Sequence, residues 1–172
     1  MKAVFLFTMW GRHRLNDFVF NYYNQMRKKL SGYMDVTLLV VGSEGDKSRE
    51  IAEKNGFEYL EYSNFPLNRK HNAGSVYAKK FNPDILIALN SDSLFSIDYF
   101  KGINLEPKVV KGILDFYFFN LRTKTLGYWS GYETGKRGEP IGTGRQFGRD
   151  VLEISNWELW NPNIERMKGL DH

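Results

Sequence analysis

Apolar side chains follow two alternating patterns along the first half of the chain. The run 85–89 is apolar at every position, as expected of a strand buried on both faces of a parallel sheet. Between such runs, apolar residues recur at helical spacing, which is typical of helices packed along one side. The predicted strands cover 2–8, 35–41, 57–62 and 85–89, and the predicted helices cover 15–30, 46–55 and 68–81. This alternation predicts an α/β fold with a parallel sheet and helices on both of its faces.

The ends of the first predicted helix carry recognisable signals. Asn16 or Asp17 could cap its start, and Gly32 lies just beyond its end. The second half of the chain is different in character. Its segments are an aromatic strand-like run at 109–120, a Gly-rich region of loops around short strands at 122–144, and a short helix from 150 to 154. We expect one domain over 1–172, with a ligand-binding half over 1–100 and an elaboration over 101–172.

Composition excludes several classes of protein. The chain has no Cys, which rules out a disulfide scaffold, a thiolate zinc site and a Cys nucleophile. No apolar run approaches the roughly 18 residues that a membrane helix needs. The apolar N-terminal run is short and has no small-residue cleavage site, so it is interpreted as a first strand, with cytoplasmic residence expected.

Charge and aromatic content leave two kinds of ligand open. The net charge is +4, and the 172 residues include 13 Phe, 10 Tyr and 4 Trp. A mildly basic, aromatic-rich chain suits either a phosphate-bearing small molecule or a nucleic-acid surface. Composition alone does not choose between them.

The sharpest candidate for chemistry is the turn Asn90-Ser91-Asp92, which follows the most apolar predicted strand. Ligands of parallel sheets bind at the carboxyl ends of the strands, near the point where the strand order reverses. A carboxylate placed there can hold a divalent cation through one oxygen while a diphosphate and waters supply the rest. The alternative is an Asp that only caps the following turn.

Four segments taken in order resemble the nucleotide-sugar-binding half of GT-A glycosyltransferases. They are 7–12, 40–46, 68–74 and 85–93, and the last lies where that family has its Asp-x-Asp motif. The resemblance implies a three-layer α/β/α sandwich with a mostly parallel, Rossmann-like central sheet and a small C-terminal elaboration. It also implies a nucleoside-diphosphate sugar, such as a UDP-sugar, as substrate.

The resemblance carries roles onto individual residues of this chain. Phe7 and Thr8 would line the nucleoside pocket, and Glu44 would meet the base or the ribose. Lys70 and Asn72 would lie near the base or the diphosphate, where Gly74 would allow close approach. The full set of implied nucleotide-binding residues is Phe7, Thr8, Arg12, Glu44, Lys70, Asn72, Asn90 and Ser91.

The implied cofactor is Mn²⁺ or Mg²⁺, with Asp92 as its ligand and His172 completing the metal site. This chain departs from the family motif because Asn90 stands where the first Asp is expected. An amide oxygen can contact a ribose or a metal, but it adds no charge. For the general base that would take the acceptor proton, the resemblance points to Asp171 near the end of the chain. Asp115, inside the aromatic run, is the rival, and it would have a raised pKa if buried.

These observations predict a hexosyltransferase-type enzyme that moves a sugar from a nucleotide sugar to a hydroxyl acceptor, with metal assistance. The acceptor would be a glycan, a protein or a modified nucleic acid, and a homo-oligomer is one way to complete its site. Two alternatives remain. A nucleic-acid-binding module predicts affinity that falls steeply with salt. A nucleotidyltransferase would need a Gly-rich, Arg-bearing loop after the first strand, and Trp10-Gly11-Arg12 has a single Gly.

Overall fold

The computed structural model describes residues 1–133 and 138–163, and its elements alternate as the sequence predicts. The strands are β1 (Lys2–Thr8), β2 (Asp35–Gly42), β3 (Glu58–Glu61), β4 (Ile85–Asn90), β5 (Val110–Lys111), β6 (Phe116–Asn120), β7 (Thr125–Trp129) and β8 (Arg145–Gly148). The helices are α1 (His13–Leu30), α2 (Asp46–Lys54), α3 (Leu67–Ala78), α4 (Ile97–Lys101) and α5 (Arg149–Ile154), and a 3₁₀ turn (Lys79–Phe81) follows α3. Within these described ranges, no helix is long and apolar enough to cross a bilayer.

Six of the described strands form one sheet in the order β3-β2-β1-β4-β8-β5. β1 lies between β2 and β4 and is parallel to both, while β3 extends the parallel part beyond β2. β8 runs antiparallel to β4 and to β5. The predicted α/β class with a mostly parallel central sheet is therefore confirmed.

Side chains of β1 alternate between two core clusters. Phe5 and Phe7 belong to a cluster that includes residues of α1, whereas Val4 and Leu6 belong to another that includes Leu152 of α5. Because successive side chains of a strand point to opposite faces, the two clusters lie on opposite sides of the sheet. Both faces of the central strands are covered, which explains why their sequences are apolar without alternation.

The start of α1 differs from the prediction. The helix begins at His13, and its N-cap is Arg12 in the left-handed region, with φ 48° and ψ 36°. Asn16 lies inside the helix and donates its side-chain amide to the carbonyl of Gly11 at 2.7 Å. Asp17 accepts from Asn55 instead of capping the helix. The predicted caps are wrong because the helix begins three residues before Asn16, and Asn16 bonds to the loop that precedes the helix. Asp17 bonds to Asn55, which the tertiary fold brings beside it.

The aromatic run 109–120 is divided between two sheets. β5 pairs with β8 at the edge of the main sheet, whereas β6 pairs with β7 in a separate two-stranded hairpin. The ring of Phe118 covers Gly127 across this hairpin and leaves no room for a Cβ at this position. β8 lies just beyond the Gly-rich region at 122–144, in a stretch where the sequence pattern predicted no element. Its four residues are too few to show a period.

Gly74 sets the distance between α3 and the sheet. A Cβ at this position would lie 2.6 Å from Leu6 Cδ1 and 2.6 Å from Val41 Cγ2. We expect Gly74→Ala to destabilise the protein in urea unfolding, because overpacking a core costs about 1–3 kcal/mol and outweighs the better helix propensity of alanine. Gly32→Ala is the control, since nothing lies within 4 Å of its added Cβ. Equal stabilities of the two variants would contradict this account of the helix–sheet contact.

Candidate functional site

The carboxyl ends of β1, β2 and β4 form one edge of the sheet. The last residue of β1, Thr8, is paired with Val41 of β2 on one side and with Asn90 of β4 on the other. From β1 the chain order runs outward through β2 to β3, and β4 then adds on the opposite side of β1. The strand order therefore reverses between β1 and β4, which is where open α/β sheets bind their ligands.

The loop between β1 and α1 is fixed by hydrogen bonds from its neighbours. The backbone N–H of Met9 donates to the carbonyl of Val41 at 3.0 Å. The backbone N–H of Gly11 donates to the Glu44 carboxylate at 2.8 Å. Gly11 and Arg12 both have positive φ, so the chain turns sharply into α1 at this point. The loop thus presents its side chains from a defined backbone.

Arg12 and Asp92 face each other across the point of strand reversal. The guanidinium Nη1 donates to Asp92 Oδ2 at 2.6 Å. The side chains keep 58% and 37% of their surface exposed, so the pair lies at the mouth of the edge and not inside the protein. One residue comes from the loop after β1 and the other from the turn after β4, and 80 positions separate them in sequence.

Glu44 connects the loop after β2 to the loop after β1. Besides accepting from Gly11, its Oε2 lies 3.0 Å from Nε2 of His13 and accepts from Ser48 at 3.4 Å. Burial by itself would raise the pKa of Glu44. The Gly11 hydrogen bond and the nearby His13 outweigh that effect and bring the pKa below its ordinary value. Glu44 is therefore a partly buried, ionised acceptor at this edge.

Lys70 lies beneath the same edge, with only 1% of its surface exposed. Its ammonium donates to the Met9 carbonyl at 2.6 Å, to Ser43 Oγ at 2.6 Å and to Asn64 Oδ1 at 3.0 Å. These oxygens belong to the segments that follow β1, β2 and β3. Burial lowers the pKa of Lys70 to about 8, against the attraction of Glu44 and Glu61. Lys70 thus connects the loops after β1, β2 and β3 through hydrogen bonds from the buried side of this edge.

The turn after β4 is also anchored. The backbone N–H of Asn90 donates to Thr143 Oγ1 at 3.1 Å, and the backbone N–H of Gly144 donates to the Ala88 carbonyl at 2.7 Å. Ser91 is buried, while Asn90 and Asp92 remain exposed. The segment before β8 therefore supports the turn, and the polar side chains of Asn90 and Asp92 face solvent.

Two residues of the implied nucleotide site lie elsewhere. Phe7 is fully buried in the core beneath the edge, so it has no surface to offer a nucleoside. Asn72 is buried on another side of α3, where its amide donates to the Trp160 carbonyl at 2.7 Å and accepts from the Trp160 backbone N–H at 3.0 Å. Asn72 therefore holds the segment around Trp160 against α3.

Asp115 is the candidate base that the structure describes. Asp115 is exposed at the start of β6 and accepts a hydrogen bond from the Tyr128 hydroxyl at 2.8 Å. Asp115 is therefore not buried among the aromatic side chains of this run. Asp171 and His172 lie outside the described residues.

The donor set at this edge does not fit a divalent cation held beside Arg12. A cation of this kind needs oxygen ligands that are not already neutralised. Asp92 is ion-paired to the guanidinium, Asn90 is uncharged, and Glu44 is engaged by Gly11, His13 and Ser48. Over residues 1–133 and 138–163, no group of three or more His, Asp or Glu side chains is placed to hold a metal.

One exposed side chain at this edge was not assigned a role from the sequence. Trp10 lies two residues after the end of β1, between Met9 and Gly11, and keeps 59% of its surface exposed. An exposed indole ring can stack on a planar ligand such as a nucleobase. Its position was the signal that could have identified it, because Trp10 is the first residue after β1 that is not buried.

The site has to be interpreted from its geometry. A scan against protein-family models found no match, and a search of curated proteins likewise found none.

Proposed function

We propose that the chain binds a nucleoside-diphosphate sugar at the carboxyl edge of β1, β2 and β4 and transfers the sugar to a hydroxyl acceptor. The proposal rests on one observation. Arg12 and Asp92 meet where the strand order reverses, with the exposed ring of Trp10 on the same loop. Together they offer a stacking surface for a base and a cationic group for phosphates, in the place where α/β sheets bind nucleotides.

The strand order supports the assignment of the α/β fold to the GT-A type. A parallel β3-β2-β1-β4 core is continued by β8, which runs antiparallel and delivers the Thr143 segment to the turn after β4. We infer a three-layer α/β/α arrangement in which residues 1–100 bind the donor and residues 101–172 form the acceptor side.

The chemistry would consist of positioning and charge stabilisation. The base would stack on Trp10. Glu44 would accept a hydrogen bond from the base or ribose through Oε1, because its contacts with Gly11, His13 and Ser48 are all made by Oε2. The acceptor oxygen attacks the anomeric carbon, the bond to the diphosphate breaks, and the acceptor proton passes to a carboxylate, for which Asp171 and Asp115 remain the candidates. Cationic groups at the edge stabilise the nucleoside diphosphate as it leaves.

The first experiment measures ligand-induced thermal shifts with UDP-, GDP- and CMP-sugars, each with and without manganese. We expect at least one nucleotide sugar to raise the melting temperature. Nucleoside triphosphates and a single-stranded oligonucleotide form parallel arms. A shift confined to triphosphates would favour a nucleotidyltransferase, and salt-sensitive binding confined to the oligonucleotide would favour a nucleic-acid module. No shift with any nucleotide sugar would overturn the proposal.

Trp10→Ala tests the proposed stacking surface directly. Base stacking on an aromatic ring is worth about 1–3 kcal/mol, so we expect nucleotide affinity to fall about 5- to 150-fold. Tyr33→Ala is a matched control, because Tyr33 has the same 59% exposure but lies beyond the far end of α1. Isothermal titration of each variant gives the affinities. Unchanged binding by Trp10→Ala would remove the ring from the site.

A further inference from the structure

The Arg12–Asp92 pair puts a guanidinium where the implied site would have a metal. Asp92 is the carboxylate of the motif-like turn, and its Oδ2 is 2.6 Å from Arg12 Nη1. A divalent cation on Asp92 would lie next to this guanidinium and be repelled by it. Asn90, in place of the expected first carboxylate, supplies no charge to offset that repulsion.

We propose that this edge binds the diphosphate of its ligand without a divalent cation, and that the Arg12 guanidinium supplies the positive charge. Asp92 is then a positioning residue that holds the guanidinium, and not a metal ligand. The inference rests on the proposed function, because it concerns the same nucleoside-diphosphate site.

The geometry of Arg12 suits this task. A guanidinium has five N–H donors in a planar fork that matches phosphate oxygens. Among the described residues, the contact with Asp92 uses Nη1 only, so the remaining nitrogens are available to a ligand. The side chain is 58% exposed and can therefore be reached from solvent.

The backbone at Arg12 is held in an unusual conformation. Its φ of 48° lies in the left-handed region, which is uncommon for a residue with a Cβ and is often found at functional sites. The carbonyl of Arg12 accepts from the N–H groups of Leu15 and Asn16 at 2.9 and 3.0 Å. On the other side, Glu44 fixes the N–H of Gly11. The guanidinium therefore extends from a fixed point beside the strand reversal.

The local charge also favours binding of the diphosphate by the Arg12–Asp92 pair over binding through a metal ion. Two carboxylates without a cation would repel a diphosphate and would need a divalent ion to reverse the local charge. Here the carboxylate of the turn after β4, Asp92, is already balanced by Arg12. The buried ammonium of Lys70, bonded to the Met9 carbonyl, lies beneath the same loop. It attracts Glu44 and Glu61 and offsets their negative charge, which leaves the Arg12 guanidinium as the exposed cation of this loop.

Titration calorimetry with UDP and with GDP, in EDTA and in manganese, tests the inference. The wild-type protein is expected to bind one of these diphosphates about equally, within about two-fold, in both buffers. Arg12→Ala and the longer uncharged Arg12→Gln are each expected to weaken binding about 10- to 100-fold, the loss of a charge-assisted contact. Asp92→Asn keeps a side-chain oxygen that can still accept from the guanidinium, so it is expected to weaken binding less than either Arg12 variant does.

Arg14→Ala is the control, since Arg14 is an exposed arginine two residues further along and should leave affinity unchanged. The inference is overturned if binding requires manganese, is lost in Asp92→Asn and survives in Arg12→Ala and Arg12→Gln. That result would make Asp92 a metal ligand while leaving the proposed function intact. If neither diphosphate binds in either buffer and no nucleotide sugar gives a thermal shift, the proposed function itself fails, and the inference with it.

Discussion

Phe7→Ala is expected to lower the free energy of unfolding by about 3–5 kcal/mol, as typical for a large aromatic side chain removed from a core. The ring is fully buried, with centroid distances of 5.7 Å to Phe20, 4.9 Å to Tyr23 and 5.4 Å to Phe57. Removing it leaves a cavity that these rings cannot fill without moving. Urea unfolding monitored by circular dichroism measures the loss.

Phe18→Ala is the matched control for Phe7. Phe18 lies on α1 but is 60% exposed, so its truncation should change stability by no more than about 0.5 kcal/mol. Phe7→Leu keeps most of the buried volume and separates folding from binding. We expect it to bind nucleotides as the wild type does. A clear loss of nucleotide affinity in a folded Phe7→Leu protein would instead support the implied role of Phe7 in the nucleoside pocket.

Lys70→Met is expected to remove a pH-dependent gain in stability. The pKa of Lys70 drops from 10.5 for the ordinary side chain to about 8 in the folded protein, because burial disfavours the charged form. Below pH about 8, both folded and unfolded chains hold the proton, and the unfavourable burial of the charge is fully present. Between pH about 8 and 10.5, the folded protein has released a proton that the unfolded chain still binds, so the free energy of unfolding rises with pH.

The size of that rise in the free energy of unfolding follows from the shift in the pKa of Lys70. One pKa unit corresponds to about 1.4 kcal/mol, so Lys70 should add up to about 3 kcal/mol over this pH range. The measurement is the free energy of urea unfolding at neutral and at alkaline pH for the wild type and for Lys70→Met. Lys79→Met, at an exposed position on the turn after α3, should keep the full wild-type rise. An undiminished rise in Lys70→Met would show that other groups cause it.

Lys70 and Asn72 show why roles assigned along a sequence can separate in space. Residues two positions apart on a helix point about 200° apart. Lys70 therefore faces the loops after β1 and β2, while Asn72 faces the backbone of Trp160. Asn68, four residues before Asn72 and on the same side of α3, donates to the Asn161 carbonyl. The sequence places these residues on one helix, but packing decides which of them reaches the candidate site.

Phe7 and Trp10 illustrate the same limit on a strand. The run 2–8 is apolar on both faces. Its pattern therefore does not show which residues are buried beneath the carboxyl edge of the sheet and which lie in the loop beyond the strand. Pairing with β2 and β4 continues through Thr8, which leaves Phe7 in the core and Trp10 exposed on the loop. The aromatic residue available to a ligand is three positions beyond the one that the resemblance indicated.

The sequence by itself determined the α/β class, the central strands β1, β2 and β4, and the edge where candidate residues collect. These follow from local apolar patterns and from the rule that parallel strands end on the same side. The tertiary structure alone decided the insertion of β8, the division of the run 109–120 between two sheets, and the pairing of Arg12 with Asp92. The physical reason is that each depends on contacts between distant segments, here 80 residues apart for the ion pair, and no local period encodes such contacts.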